Sequence, residues 1–176
     1  MTTSAPPGLA RFNAVDGRDA ARMLREVCAS RAWAAAVADG RPYATLGELL
    51  DAADAATAGL TAADLAEATA AHPPIGRPAP GDAASAREQS GVRDEERAQL
   101  LELNRAYQER HGQVFLICAT GRTGAEMLAA LRTRIGHDAE TERETVRTEL
   151  GKINRIRLTR WAETLQAPRA PAEGER

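Results

Sequence analysis

Gln113-Val114-Phe115-Leu116-Ile117-Cys118-Ala119-Thr120 is the stretch on which the fold class turns. It is the one strand-like run in the chain. A lone strand has no independent stability, and no second run of this kind offers it a partner. The stretch therefore reads as a buried extended piece or a helix start, and not as part of a sheet.

The flanks read as helix. C-terminal to the run, Thr123-Gly124-Ala125-Glu126 has the form of a capping box and leads Met127, Leu128, Leu131 and Ile135 to a stop at Gly136. Asp138 opens a last, long helix to about Leu165, on which Val146, Leu150, Ile153 and Trp161 share a face at 100° per residue. On the other side, Asp94 is expected to cap a helix with Leu100, Leu103, Asn104 and Tyr107 as its inner stripe, ended by His111-Gly112. Before it, His72 to Asp82 holds four prolines and two glycines and cannot be regular structure. A short helix from about Ala83 to Ser90 follows.

The N-terminal half is alanine-rich and poor in β-branched residues, which suits closely packed helices. Asp16 caps a helix carrying Ala20, Met23, Leu24, Val27 and Cys28, and Ser30 caps one carrying Trp33 and Val37. Gly40-Arg41-Pro42 breaks the second of these. Thr45-Leu46-Gly47-Glu48 reads as a capping box before the stripe Leu46, Leu49, Leu50 and Ala53. Thr61-Ala62-Ala63-Asp64 repeats the signal for a helix ending near Ala71. The expectation is an all-α, single-domain compact helical bundle of about eight helices over residues 9–166. Residues 1–8 form a disordered N-terminus, and residues 167–176 a disordered tail.

Composition removes several classes of function. The chain has 176 residues, enough to bury a core. Only 3% of residues are aromatic and the net charge is −2 with interspersed signs, so neither stacking platforms nor a phosphate-binding basic block is present. No nucleic-acid partner is expected. The apolar runs are too short for a membrane span and no secretion signal opens the chain, so the expected place is the cytoplasm. Cys28 and Cys118 lack metal-ligand or redox spacing and read as reduced, buried thiols. No cluster has metal-ligand spacing, no glycine-rich phosphate loop follows a strand, and no hydrolase triad order stands out.

Two residues carry the chemistry. His72 precedes Pro73-Pro74, which stiffen the backbone around an imidazole suited to proton transfer near neutrality. The alternative is a histidine that caps helix carbonyls. His111 and His137 read as structural, with no carboxylate partner nearby. On the last helix, Arg157 falls in the middle of the Val146–Leu150–Ile153–Trp161 face. A guanidinium so aimed needs an anion. An internal salt bridge, such as one to Glu88, or a stem that reaches water would serve as well. A helix over Ala83–Ser90 would put Ser85, Glu88 and Gln89 on adjoining faces.

Spaced matches resemble the 2-oxo-4-hydroxy-4-carboxy-5-ureidoimidazoline (OHCU) decarboxylases of urate degradation. They run from about Leu9 to Leu165: Phe12-Asn13, Cys28-x-Ser30-x-x-Trp33, Arg41-Pro42-Tyr43, Ala71-His72-Pro73 with Ile75-Gly76, and Ser85-x-x-Glu88-Gln89. Leu103-Asn104-x-x-Tyr107, Phe115-x-Ile117-Cys118, Gly121-Arg122, Lys152-Ile153 and Arg157-Leu158 complete the set. The resemblance implies an all-helical, cofactor-free carboxy-lyase, often a homodimer, that makes (S)-allantoin and carbon dioxide from a small ureidoimidazoline. It implies His72, Glu88 and Arg157 as catalytic. Substrate contacts would come from Pro73, Ser85, Ala86, Arg87, Glu88, Gln89 and Arg157, and from the main chain of Phe115, Leu116, Ile117, Cys118 and Ala119. Pro74 stands where the family commonly has a basic residue, and Gln113 where an aromatic is usual.

That chemistry needs no metal or pyridoxal, because the ring imine can delocalise the carbanion left by carbon dioxide. Allantoin formation that survives chelators is the corresponding expectation. The alternative is a helical interaction module that keeps the fold without catalysis and uses the Pro/Gly loop as a docking surface.

Overall fold

The computed structural model describes residues 6–76 and 92–166, together with Ala83 and Arg87. Residues 6–76 and 92–166 form eight helices and no strand. They are α1 (Pro7–Ala14), α2 (Gly17–Leu24), α3 (Arg31–Asp39), α4 (Leu46–Ala58), α5 (Ala62–Ala70), α6 (Asp94–His111), α7 (Gly124–Ile135) and α8 (Ala139–Gln166). Ala83 and Arg87 are helical, while the rest of the expected 83–90 helix and the 167–176 tail lie outside the described residues.

Most helices start on the residues whose short polar side chains can take an orphan amide. Asp16 accepts the Asp19 N–H at 2.8 Å, and Ser30 accepts that of Trp33 at 3.2 Å. Thr61 with Asp64, and Thr123 with Glu126, make reciprocal boxes. Two starts differ from expectation. Thr45 Oγ1 accepts the Glu48 N–H at 3.1 Å as expected, but the Glu48 carboxylate reaches past Thr45 to the Ala44 N–H at 2.7 Å. At α6 the flanking residue is Arg93, not Asp94, and Glu96 accepts its N–H at 3.0 Å. α1 opens at Pro7, so Pro7 and Gly8 belong to a helix and not to the expected disordered end. A proline at the first position loses an N–H that has no intrahelical partner anyway, and Leu9 and Phe12 anchor the turn by burial. α2 ends at Leu24, and Val27 and Cys28 are buried in the turn that follows.

The apolar side chains gather in two clusters. The larger takes α1 to α5 and the inner face of α8, with Phe12, Trp33, Leu49 and Leu150 fully buried. The smaller lies between α6 and α7, around Leu100, Tyr107, Met127 and Leu131. Each such side chain contributes on the order of 1.5–3 kcal/mol.

The 113–120 stretch joins the two. Leu116 and Cys118 enter the larger cluster, and Phe115, Ile117 and Ala119 enter the smaller. A period of two is therefore present, but it serves two cores instead of the two faces of a sheet. Charged side chains take the place of a neighbouring strand. Arg134 Nη1 donates to the Leu116 carbonyl at 2.7 Å, and Glu149 Oε2 accepts the Cys118 N–H at 2.8 Å.

Arginines also close helix ends far away in sequence. Arg41 donates to the carbonyls of Phe12, Val15 and Ala38 at 2.7, 2.8 and 2.8 Å. Arg147 Nη1 donates to the Leu60 carbonyl at 2.7 Å and to those of Thr57 and Ala58 at 3.2 Å. These carbonyls lie at or just beyond the C-terminal ends of α1, α3 and α4, where few intrahelical amides reach them.

Candidate active site

His72 follows α5 directly. Its backbone N–H donates to Thr69 O at 3.0 Å, and its ring Nδ1 lies 2.9 Å from Ala68 O. A carbonyl oxygen only accepts, so Nδ1 carries a proton and the basic lone pair of the neutral ring is at Nε2. The ring thus caps a helix end and is held in one tautomer by the same bond.

His72 borders a cavity of about 480 Å³. Arg157, Arg160, Trp161 and Thr164 line it from one face of α8, and Val27 and Arg87 contribute from elsewhere. Arg157 is half-buried and sits where this face leaves the core, in place of the core-centred position the helical wheel implies. The buried stripe of α8 continues from Leu150 through Asn154, Leu158 and Ala162, and Arg157 lies at its edge beside Trp161. Trp161 is braced by Phe12 of α1, edge to face with ring centroids 5.1 Å apart. Among the described residues, Arg25, Arg87, Arg157 and Arg160 outnumber the one lining carboxylate, Glu26. The cavity is suited to a small anion.

Of the residues the sequence marks out, His72, Arg87 and Arg157 come together here. Ser85, Ala86, Glu88 and Gln89 lie outside the described residues. Pro73 is half-buried and does not line this cavity. Phe115, Leu116, Ile117 and Ala119 are buried in the clusters. Cys118 reaches an adjoining groove of about 710 Å³ with Lys152, Ile156 and Thr159, and Arg160 lines both groove and cavity.

Gln113 is elsewhere. With His111, His137 and Glu142 it lines another cavity, of about 420 Å³, so its departure from the family pattern does not touch the His72 cavity. The expectation that His137 lacks a carboxylate partner is overturned, since its Nδ1 lies 2.9 Å from Glu142 Oε2. The turn before α8 folds the ring back over the helix start. His111 is structural, its Nε2 3.0 Å from Arg134 O and its ring against Tyr107.

Sequence reasoning passed over the buried carboxylates. Glu142 and Glu149 are 1% and 6% exposed. A signal was present: Glu142, Val146, Glu149, Leu150 and Ile153 follow the spacing of one helix face, so two acids stand on an apolar stripe. Burial alone would raise the pKa of Glu149, but hydrogen bonds from Lys152 and the Cys118 N–H outweigh it and hold the carboxyl below its ordinary range. Cys28 and Cys118 are buried, and no disulfide joins them. Burial pushes the Cys28 thiol's pKa up. Among the described residues, no group of three or more histidine, cysteine or acidic side chains could hold a metal ion.

Among the described residues of this helical domain, a histidine and an arginine line one cavity. The comparisons with known proteins narrow this. The family profile for OHCU decarboxylase matches residues 13–159, and the chain belongs to that family. The uric acid degradation bifunctional protein TTL of Arabidopsis thaliana is 34% identical over 143 residues, 76% of this chain and 44% of that protein. The 2-oxo-4-hydroxy-4-carboxy-5-ureidoimidazoline decarboxylase of Amia calva is 38% identical over 61 residues, 35% of each. The chain thus spans less than half the length of either relative. A crystal structure of an OHCU decarboxylase in the presence of (S)-allantoin superposes with a TM-score of 0.72 at 27% identity, covering 85% of this chain and 99% of that one. An (S)-allantoin synthase structure has the same fold, with a TM-score of 0.64 at 21% identity over 87% of this chain and 53% of that one.

Proposed function

We propose that the protein decarboxylates 2-oxo-4-hydroxy-4-carboxy-5-ureidoimidazoline to (S)-allantoin and carbon dioxide. The observation that carries the reading is that His72 and Arg157 line one cavity, in a chain of the OHCU decarboxylase family. His72 Nε2 takes and returns protons, first at the 4-hydroxyl, which becomes the 4-carbonyl, and then at the ring carbon bearing the ureido group, while Nδ1–H on Ala68 O keeps the ring oriented. Arg157 stabilises the negative charge that develops as the carboxylate carbon departs. Glu88 orients the imidazole or binds the ureido N–H groups, Ser85 and Gln89 read the amide edges of the ring, and the 115–119 main chain completes the pocket. The reaction draws on no cofactor or metal.

The same proposal has the protein acting in the cytoplasm as a homodimer, a reading supported by the resemblance to the family. No helix of the described residues is long and apolar enough to cross a membrane.

The test is a stereospecific assay on freshly generated substrate against an uncatalysed control, since the substrate decays by itself. Enantiopure (S)-allantoin formed faster than the control, before and after dialysis against a chelator, supports the reading. A rate equal to the control would favour the helical interaction module.

A further inference from the structure

We propose that Glu149 and Arg122 are positioning residues for the reaction, acting through the peptide groups on either side of Cys118. The inference rests on the proposed decarboxylation.

The two side chains grip consecutive peptide planes. Glu149 Oε2 accepts the Cys118 N–H at 2.8 Å, and Arg122 Nε donates to the Cys118 carbonyl at 3.2 Å. The Arg122 backbone N–H donates to the Ala119 carbonyl at 3.0 Å. Arg122 Nη2 stands 3.7 Å from Glu149 Oε1, and Lys152 Nζ at 2.6 Å from the same oxygen holds the carboxylate in place. A hydrogen bond to a charged acceptor in a buried setting is stiffer than the neutral bond a neighbouring strand would supply.

The geometry gives this grip a bearing on the site. Cys118 lines a groove that shares one lining residue, Arg160, with the His72 cavity. Glu149 belongs to α8, the helix that also carries Arg157 and Arg160. Eight residues of helix separate Glu149 from Arg157, a fixed rise of about 12 Å. One rigid rod therefore holds both the Cys118 backbone and the arginine that faces substrate. Releasing Glu149 frees the segment to move relative to Arg157, and a displacement on the order of 1 Å at a reacting centre can cost about 10²-fold. Neither residue touches the His72 cavity.

Glu149→Ala, Glu149→Gln and Arg122→Ala are made in the full chain and assayed well below their melting temperatures, with Leu49→Ala as a destabilised control. At least about a tenfold fall in kcat/KM per folded molecule is expected for Glu149→Ala and Arg122→Ala. Glu149→Gln, which keeps an acceptor for the amide, should fall less. Amide exchange at Cys118 should quicken in the Glu149 variants, while Leu49→Ala keeps wild-type kcat and KM. A merely structural role would lower the melting temperature and leave kcat and KM unchanged; that outcome, even with faster exchange at Cys118, overturns the proposal. An inactive wild-type chain overturns the decarboxylase reading and this inference with it.

Discussion

The Tyr107 hydroxyl donates to a Glu142 carboxylate oxygen at 2.5 Å, joining α6 to the first turn of α8 beneath the protein surface. The same carboxylate receives Arg134 Nη2 at 2.5 Å and lies 2.9 Å from His137 Nδ1. Arg134 in turn holds the Leu116 carbonyl. Burial alone would raise the Glu142 pKa, but the bonds from Arg134 and Tyr107 outweigh it, and the net shift is downward from 4.5. Burial also pushes the Tyr107 pKa up, with the Glu142 bond adding to it.

Glu142→Gln should therefore destabilise the fold by about 3–5 kcal/mol at neutral pH, because it leaves Arg134 buried without its counter-charge. The sign of the pH dependence follows from the depressed pKa. The carboxylate's contribution is present above its unfolded value near 4.5 and is lost as pH falls through the lower folded value. Urea denaturation across a pH series should show the gap between wild type and variant widest near neutrality and narrowing in acid. A gap that stays constant far below 4.5 would remove Glu142 as its source.

His72→Ala and His72→Asn should leave a folded protein with decarboxylation near the uncatalysed rate. Positioned acid–base groups typically contribute about 10² to 10⁴-fold. Circular dichroism checks the fold and the (S)-allantoin assay the rate. Retention of most of the turnover would take His72 out of the mechanism.

Arg157→Lys should not restore function. Lysine keeps the charge and loses the planar fork that engages two acceptors at once. The expected cost in kcat/KM is at least about tenfold, or roughly 1.4 kcal/mol. The melting temperature should change little, since Arg157 is half-buried at a cavity and not enclosed in the core. A large fall in melting temperature with unchanged kcat/KM would remove Arg157 from the reaction and leave it a structural role.

Gly124→Ala should destabilise through a contact 28 residues away in sequence. A Cβ at this position would stand 1.9 Å from Glu96 Oε2. Glu96 is tied to the Arg93 N–H at 3.0 Å and to its guanidinium at 2.9 Å, so it cannot swing aside without breaking both. Overpacking of this kind costs about 1–3 kcal/mol. In a Glu96→Ala background the same substitution should cost less, and a double-mutant cycle measures the difference. Additive losses would contradict the contact.

The sequence by itself determined the helices, because a helix start is a local event. A side-chain oxygen and an amide three residues on are enough, and Asp16, Ser30, Thr61 and Thr123 each act on that scale. It also marked His72 and Arg157, one by the prolines that follow it and the other by its place on an apolar face. Only the tertiary structure decided which distant groups those helices bring together. Arg41, Arg134 and Arg147 reach backbone carbonyls 18 to 90 residues away, and nothing in their local spacing names those partners. The 113–120 run shows the division most clearly. Its alternation is legible, yet whether alternation serves a sheet or two cores depends on what supplies its backbone with hydrogen bonds. Here the suppliers are Arg134, Glu149 and Arg122, on α7, on α8 and in the turn between the run and α7. A backbone amide accepts any partner of suitable geometry, so the choice between a strand and a charged side chain is made by packing.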